Sequence, residues 1–232
     1  MQLKYRAKNI LIRNFLIDNA EKLFKFKKHE QSLELISEIA NLDVNKYIGY
    51  LSSIRLENLL KNIGSKIFNK QDYPKKPLSN SKRKILHVAT QVYNVGGHSR
   101  VIRDWINNDV TSDSYLILTN QSSSNHSTKN IKELETYFNA KVIVINGDTL
   151  IDRGKHLRSY VLSHFFDVIV NHQHMHDIIP SIAFWDLSEQ YNTLSLKYNH
   201  ANFHFSLGNI IAHKRVNFSS GDIEISRKFR YQ

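Results

Sequence analysis

The chain has 232 residues, 41% apolar and 23% charged, a composition that can bury a core of its own and excludes a fibrous or disordered polymer. It contains no cysteine, which excludes disulfides, thiolate-bound zinc and iron–sulfur clusters and leaves a reducing cytoplasm as the default location. The net charge of +11 is unevenly spread: residues 1–84 carry 18 Lys and Arg against 8 Asp and Glu, and the remainder carries 14 against 13.

Histidine follows the opposite distribution, with only His29 in the basic third and the other eleven of the twelve beyond residue 84. These asymmetries predict two regions with different tasks. Nucleic acid is not an expected partner, because the basic segment has no recognisable binding module and its aromatics fall at core-like spacing. The apolar stretch 10–17 is interrupted by Arg13 and Asn14 and no small-residue cleavage site follows, so it does not read as a secretory signal. No window approaches the roughly 20 apolar residues of a spanning helix, and any contact with a membrane is expected at its surface.

Residues 1–68 read as a basic helical extension. Ile10, Phe15, Leu16, Leu23, Phe24, Leu33, Leu35, Ile36 and Ile39 recur at intervals of three and four. The pattern predicts helices to about residue 27, over 31–41 and over 43–63, with a turn at 28–30 and Gly64 as a C-terminal stop. The lysines fall mostly between the apolar positions, which describes either a solvated basic face or a segment, residues 1–70, drawn to an anionic membrane surface or acidic partner. Residues 69–84 hold two of the three prolines and no periodicity, and read as a linker.

From residue 85 to 232 the pattern changes to short β-branched runs alternating with helical stretches. Strands are expected at 85–89, 115–118, 141–145, 167–170, 194–198 and, more weakly, 213–218; helices are expected at 99–108, 130–138, 149–165 and 176–185. This alternation predicts an α/β fold with a parallel sheet covered on both faces, whose ligands bind beyond the carboxyl ends of the strands.

The first strand leads through Gly96 and Gly97 into a helix. Adjacent glycines there let the backbone turn sharply and approach a ligand, and the helix terminus favours an anion such as phosphate. The spacing fits neither the dinucleotide-binding nor the P-loop glycine pattern. The fourth strand is followed by His172, His174 and His176 and the fifth by His200, which brings several imidazoles to one sheet edge. They could hold a cation for a metal-dependent hydrolase, or they could be hydrogen-bonded structural histidines.

The segment KRKILHVATQVYNVGGHSRVIRDW resembles the opening of the amino-terminal domain of GT-B glycosyltransferases, in particular the large retaining family that uses nucleotide sugars and carries a GGxxR glycine loop. The segment LKYNHANFHFSLGNIIAHKRVNFSS is similar to a stretch after the fifth strand in a subset of these enzymes. The resemblance spans about residues 84–220. It implies a Rossmann-like acceptor domain facing a second, donor-holding domain across a cleft, and transfer of a sugar from a nucleotide diphosphate sugar to a glycan, lipid-linked or protein acceptor, with no resident cofactor or obligatory metal. By position it implies that Gly96, Gly97, His98 and Arg100 lie at the donor phosphates, and that His174 or His172, with His200, lies near the sugar. The family's paired glutamates, seven residues apart, belong to the donor domain. Glu30 and Glu38 share that spacing but precede the glycine loop, so they read as coincidence. Because the 148 residues after Lys84 suffice for one such domain, the expectation is an amino-terminal fragment, one half of a split enzyme whose donor domain is a separate chain, or a degenerate relative, with weak or no transfer alone. The protein is expected in the cytoplasm, peripheral at the inner face of a membrane if the basic helices dock there. A non-catalytic interaction protein is the remaining alternative.

Overall fold

The computed structural model describes the chain except residues 1, 47, 72, 76–81, 122–129, 191, 199–203, 218–219 and 230–232. Three helices come first: α1 (Gln2–Lys25), α2 (His29–Asn45) and α3 (Ile54–Ile67). The apolar spacing of α3 places Leu56, Leu59, Leu60 and Ile63 on one buried face, and Ser53 caps its start by accepting from the Leu56 amide. The second helix runs past residue 41 and the third begins eleven residues later than expected. The Asp43 carboxylate accepts from Nε of Arg13 at 2.8 Å inside the helical core, which keeps it within α2, and Ser53 caps α3.

After the helices come β1 (Arg83–Ala89), α4 (Gly97–Asn108), β2 (Ser112–Leu118), α5 (Ile131–Phe138), β3 (Lys141–Val144), α6 (Leu150–Ser163), β4 (Val168–His172), α7 (Ile179–Ala183), β5 (Leu194–Tyr198), β6 (Lys214–Val216) and α8 (Ser220–Phe229). The six strands form one parallel sheet in the order β3-β2-β1-β4-β5-β6, a Rossmann-like α/β arrangement. All six expected strands are present. The weakest, at 213–218, shrinks to three residues, and α8, which the sequence pattern did not signal, follows it. The helix expected over 176–185 is only five residues long, because Pro180 fits the first turn alone and a 3-10 turn (Leu187–Glu189) follows.

Helices α4 and α5 cover one face of the sheet, with Ile102, Ile106, Leu134 and Phe138 on Ala89, Leu116 and Leu118. The other face packs Leu86, Val88, Ile117 and Ile169 against Leu157 and Val161 of α6 and Ile179 and Ala183 of α7. The three leading helices share their core with this second side, since Leu60, Ile63 and Phe68 lie in one apolar cluster with Ile178, Ile182, Phe205 and Leu207.

Gly64 is not a stop. It sits inside α3, where a Cβ would stand 2.7 Å from the Ile182 carbonyl oxygen and 2.8 Å from Cβ of Trp185, so its missing side chain is what lets α3 lie against the α7 segment. The start of the expected linker is packed as well. Arg158 of α6 lies between the buried carboxylate of Asp186 (2.9 Å to each oxygen) and the carbonyls of Ala183 (2.8 Å) and Asn69 (3.0 Å). The rings of Phe68, Tyr73 and Trp185 surround that guanidinium. Glu30 adds a third fastening: its carboxylate accepts from the amides of Leu150 (2.7 Å) and Ile151 (3.1 Å) and so caps α6 at the positive end of its dipole.

The shared core predicts that the helices and the sheet unfold together. Gly64→Val should lower stability by about 1–3 kcal/mol through overpacking, read as one denaturant transition shifted to lower midpoint. A separate early transition for the helical part would contradict the shared core.

Candidate functional site

The chain order places β2 and β3 on one side of β1 and β4 to β6 on the other, so the strand order reverses between β1 and β4. Beyond the carboxyl ends of these two strands an open parallel sheet leaves a crevice. The residues just past the strands determine its lining.

Asp177 organises that edge. Its Oδ2 accepts from the hydroxyls of Thr90, after β1, at 2.7 Å and Thr119, after β2, at 2.5 Å, while Oδ1 accepts from the Ile179 amide at 3.0 Å. Thr90 Oγ1 in turn accepts from the His174 amide at 2.8 Å, which fixes where His174 leaves β4. The amide of Gln173 donates to the Asp177 carbonyl at 2.8 Å and lies against Gly208, whose backbone has φ +82° and whose missing Cβ leaves room for it. From behind, Ser37 of α2 donates to the His176 carbonyl at 3.1 Å, so the leading helices brace the same loop.

The glycine loop is held by its own polar groups. The side-chain amide of Gln121 pairs with both sides of Val92, accepting from its N–H at 2.8 Å and donating to its carbonyl at 3.2 Å, and Tyr93 N donates to the buried Ser99 hydroxyl at 2.7 Å. Gly96 has φ +144° and ψ 150°, a conformation that only glycine adopts readily. A Cβ built on Gly96 or Gly97 meets nothing within 4 Å, so the start of α4 opens onto free space.

Against this loop stand the imidazoles. His98 meets His174 edge to face at 5.1 Å between centroids, His174 stacks on Tyr93 at 6.0 Å, and His176 lies 5.9 Å from His174. Burial, reinforced by neighbouring His174 and Lys197, pushes the His98 imidazole down to about 3, so at neutral pH it is an uncharged ring and a weak base. Lys197, beside Asn171 in the β4–β5 register, is a buried cation at the same end of the sheet. Behind it, Glu57 of α3 accepts from the backbone amide (2.9 Å) and side-chain amide (2.8 Å) of Asn209, to which Arg215 also donates. Burial raises the Glu57 carboxyl and lowers the Arg215 guanidinium to about 10.

The structure thus brings together Gly96, Gly97, His98 and His174 and separates the rest of the expected set. His172 is in the core: it is fully buried, its Nε2 lies 3.0 Å from Nδ1 of equally buried His87, and the edge of Trp105 packs on both rings. His172 and His174 both face α4, His172 against Trp105 and His174 against His98, but His172 is the last residue of β4 and buried, whereas His174 lies two residues beyond the strand end. His172 therefore does not reach the crevice. Arg100 is a surface charge, its side chain 76% exposed and paired at 3.4 Å with Asp104 one turn along α4. His200 lies outside the described residues. Among the described residues no three His, Asp or Glu side chains stand close enough to hold a metal ion, so the four-imidazole cation site is not assembled there. A concavity of about 630 Å³ opens at the opposite, amino edge of the sheet, between Asp109, Tyr115, Glu135 and Lys141, remote from these groups.

Sequence reasoning missed Asp177, Thr90, Thr119 and His87. Asp177 had a local signal: an aspartate three residues before a proline that opens a helix is a turn-and-cap arrangement. The threonines had none, since only the strand order brings them together.

Comparison with models of known protein families and with curated proteins gives no match.

His87 is likewise pushed down to about 3 by burial. In the unfolded chain its ring titrates near 6.5, so the unfolded state takes up a proton that the folded state refuses; stability is full above that value and falls as pH drops toward 3. Each such histidine contributes a slope of up to about 1.4 kcal/mol per pH unit. His87→Phe should reduce the slope of unfolding free energy between about pH 6 and 4 by one proton's worth in urea titrations; an unchanged slope contradicts the burial of a neutral ring.

Proposed function

We propose that the Rossmann-like sheet is the acceptor-side domain of a GT-B-type glycosyltransferase, with a nucleotide diphosphate sugar as donor and a glycan, lipid-linked or protein hydroxyl as acceptor. The observation that carries this reading is the open glycine turn at the start of α4, set at the strand-order reversal and faced by His98 and His174. In such a transfer the bond between the anomeric carbon and the diphosphate oxygen breaks, the acceptor oxygen bonds to that carbon, and the hydroxyl proton is lost. Negative charge grows on the departing diphosphate, where the amides and dipole at the start of α4 stabilise it without a solvation shell to rearrange. Gly96 and Gly97 allow the close approach; His98, held neutral by burial, adds no charge beside the donor, and His174 stands next to it as the candidate proton acceptor. A second Rossmann-like domain, in the same chain or another, would close the cleft over this edge and hold the nucleotide.

The reading is tested by titrating isotope-labelled protein with UDP, GDP and ADP and following amide and imidazole resonances. Shifts are expected at Gly96, Gly97 and His98 and at the His174 ring. Gly97→Val, whose added atoms enter open space and spare the fold, should weaken binding at least about tenfold, or about 1.4 kcal/mol. Shifts confined to the amino-edge concavity, or none with any diphosphate, would overturn the proposal.

A further inference from the structure

The first helix is amphipathic in an unusual sense, because both of its long faces carry apolar residues. Arg13, Ile17 and Ala20 are buried, with Phe24 packed alongside them, against α2 and α3. On the opposite side Lys8, Leu11, Ile12, Phe15, Lys22 and Phe26 recur at helical spacing along about 27 Å. Leu11 is 70% exposed, Phe15 63% and Phe26 75%, and Ile12 is also exposed. Burying these side chains would remove a large apolar area from water, and the fold gives them nothing to pack on.

The charge on this face is almost wholly positive. The two acidic residues of α1, Asp18 and Glu21, are both engaged by Arg55 of α3, at 2.5 and 2.7 Å. Lys8, Lys22, Lys25, Lys27 and Lys28 are exposed around the apolar stripe. The end of α1 is a further departure from what local stability favours. The amides of Lys28 and Lys27 return to the carbonyls of Leu23 and Phe24, and Lys27 takes a left-handed φ of +59°, the position where glycine is preferred. A charged side chain is thus kept at a strained position beside exposed Phe26. Stabilisation of the helix dipole accounts for lysines in the last turn, but not for Phe26, Leu11 or Phe15 beside them.

We propose that this outward face of α1 docks the protein on an anionic lipid bilayer. Leu11, Ile12, Phe15 and Phe26 enter the boundary between head groups and acyl chains, while the lysine stems lie along the apolar surface and their ammonium groups reach the lipid phosphates. The lysines argue against a second copy of the chain as occupant, since a two-fold pairing of this face would set them against their own copies. Among the described residues no helix is long and apolar enough to cross a membrane, so the contact is lateral. The inference stands independently of the glycosyltransferase reading.

The full chain is pelleted with vesicles of phosphatidylcholine alone and with vesicles containing about one-third phosphatidylglycerol. Binding is expected only to the anionic vesicles and should fall steeply between about 0.05 and 0.5 M salt. Leu11→Ser combined with Phe15→Ser, and separately Lys22→Glu combined with Lys25→Glu, should each weaken it at least about tenfold; the first pair should leave thermal unfolding unchanged because both side chains are exposed, and the second should lower it only slightly, through the lost favourable charge at the end of α1. Absence of binding, binding that neither pair weakens, or a dimer in solution that the Leu11 and Phe15 substitutions abolish would each overturn the proposal.

Discussion

One buried carboxylate, Asp177, holds the carboxyl edge of the sheet in place. Its oxygens accept from Thr90 at the end of β1, Thr119 at the end of β2 and the amide that opens α7, and through Thr90 they set the amide of His174. Three chain segments distant in sequence meet at a group that is only 6% exposed. Losing a hydrogen bond at such a site leaves a buried donor unsatisfied, which costs more than the bond itself contributes. The glycine loop, the imidazoles and the strand-order reversal are therefore linked through one acceptor.

The leading helices reinforce this edge. Glu30 caps α6, Ser37 holds the carbonyl of His176, Glu57 receives Asn209, and Arg158 ties α6 and the turn after α7 to the chain leaving α3. Each contact joins a residue of the basic third to the scaffold that carries the crevice. The outer face of α1 is the part of this third left unused by packing. Packed and exposed apolar residues thus occupy opposite sides of one helix: Arg13 and Ile17 face inward, and Leu11 and Phe15 face out.

The sheet was legible because its signal is local. Each strand is a short β-branched run bounded by polar turns, and alternation with helices implies parallel pairing whatever the order. Boundaries that depend on tertiary partners were not legible. Residue 43 reads as the start of a helix until Arg13 ties Asp43 into the core, and Gly64 resembles a stop until the close approach of Ile182 is known. The site divided along the same line. Gly96 and Gly97 announce a backbone opening by residue type alone, and His98 follows from them. His172 and His174 are indistinguishable in sequence, yet the end of β4 between them sends one into the core beside His87 and the other to the edge beside Tyr93. Thr90 and Thr119 carry no mark at all, because a strand end becomes a site only when its neighbours are known.

The account rests most directly on Asp177, and amide hydrogen exchange of Asp177→Asn measures its role. An asparagine keeps the shape but offers one acceptor oxygen where the carboxylate offers two, so one of the hydroxyl and amide donors is left buried without a partner. The account predicts a loss of about 2–4 kcal/mol in stability, with exchange accelerated first at His174, Ile179 and the glycine loop. Protection unchanged at those amides, with stability within about 0.5 kcal/mol of the parent, would contradict it.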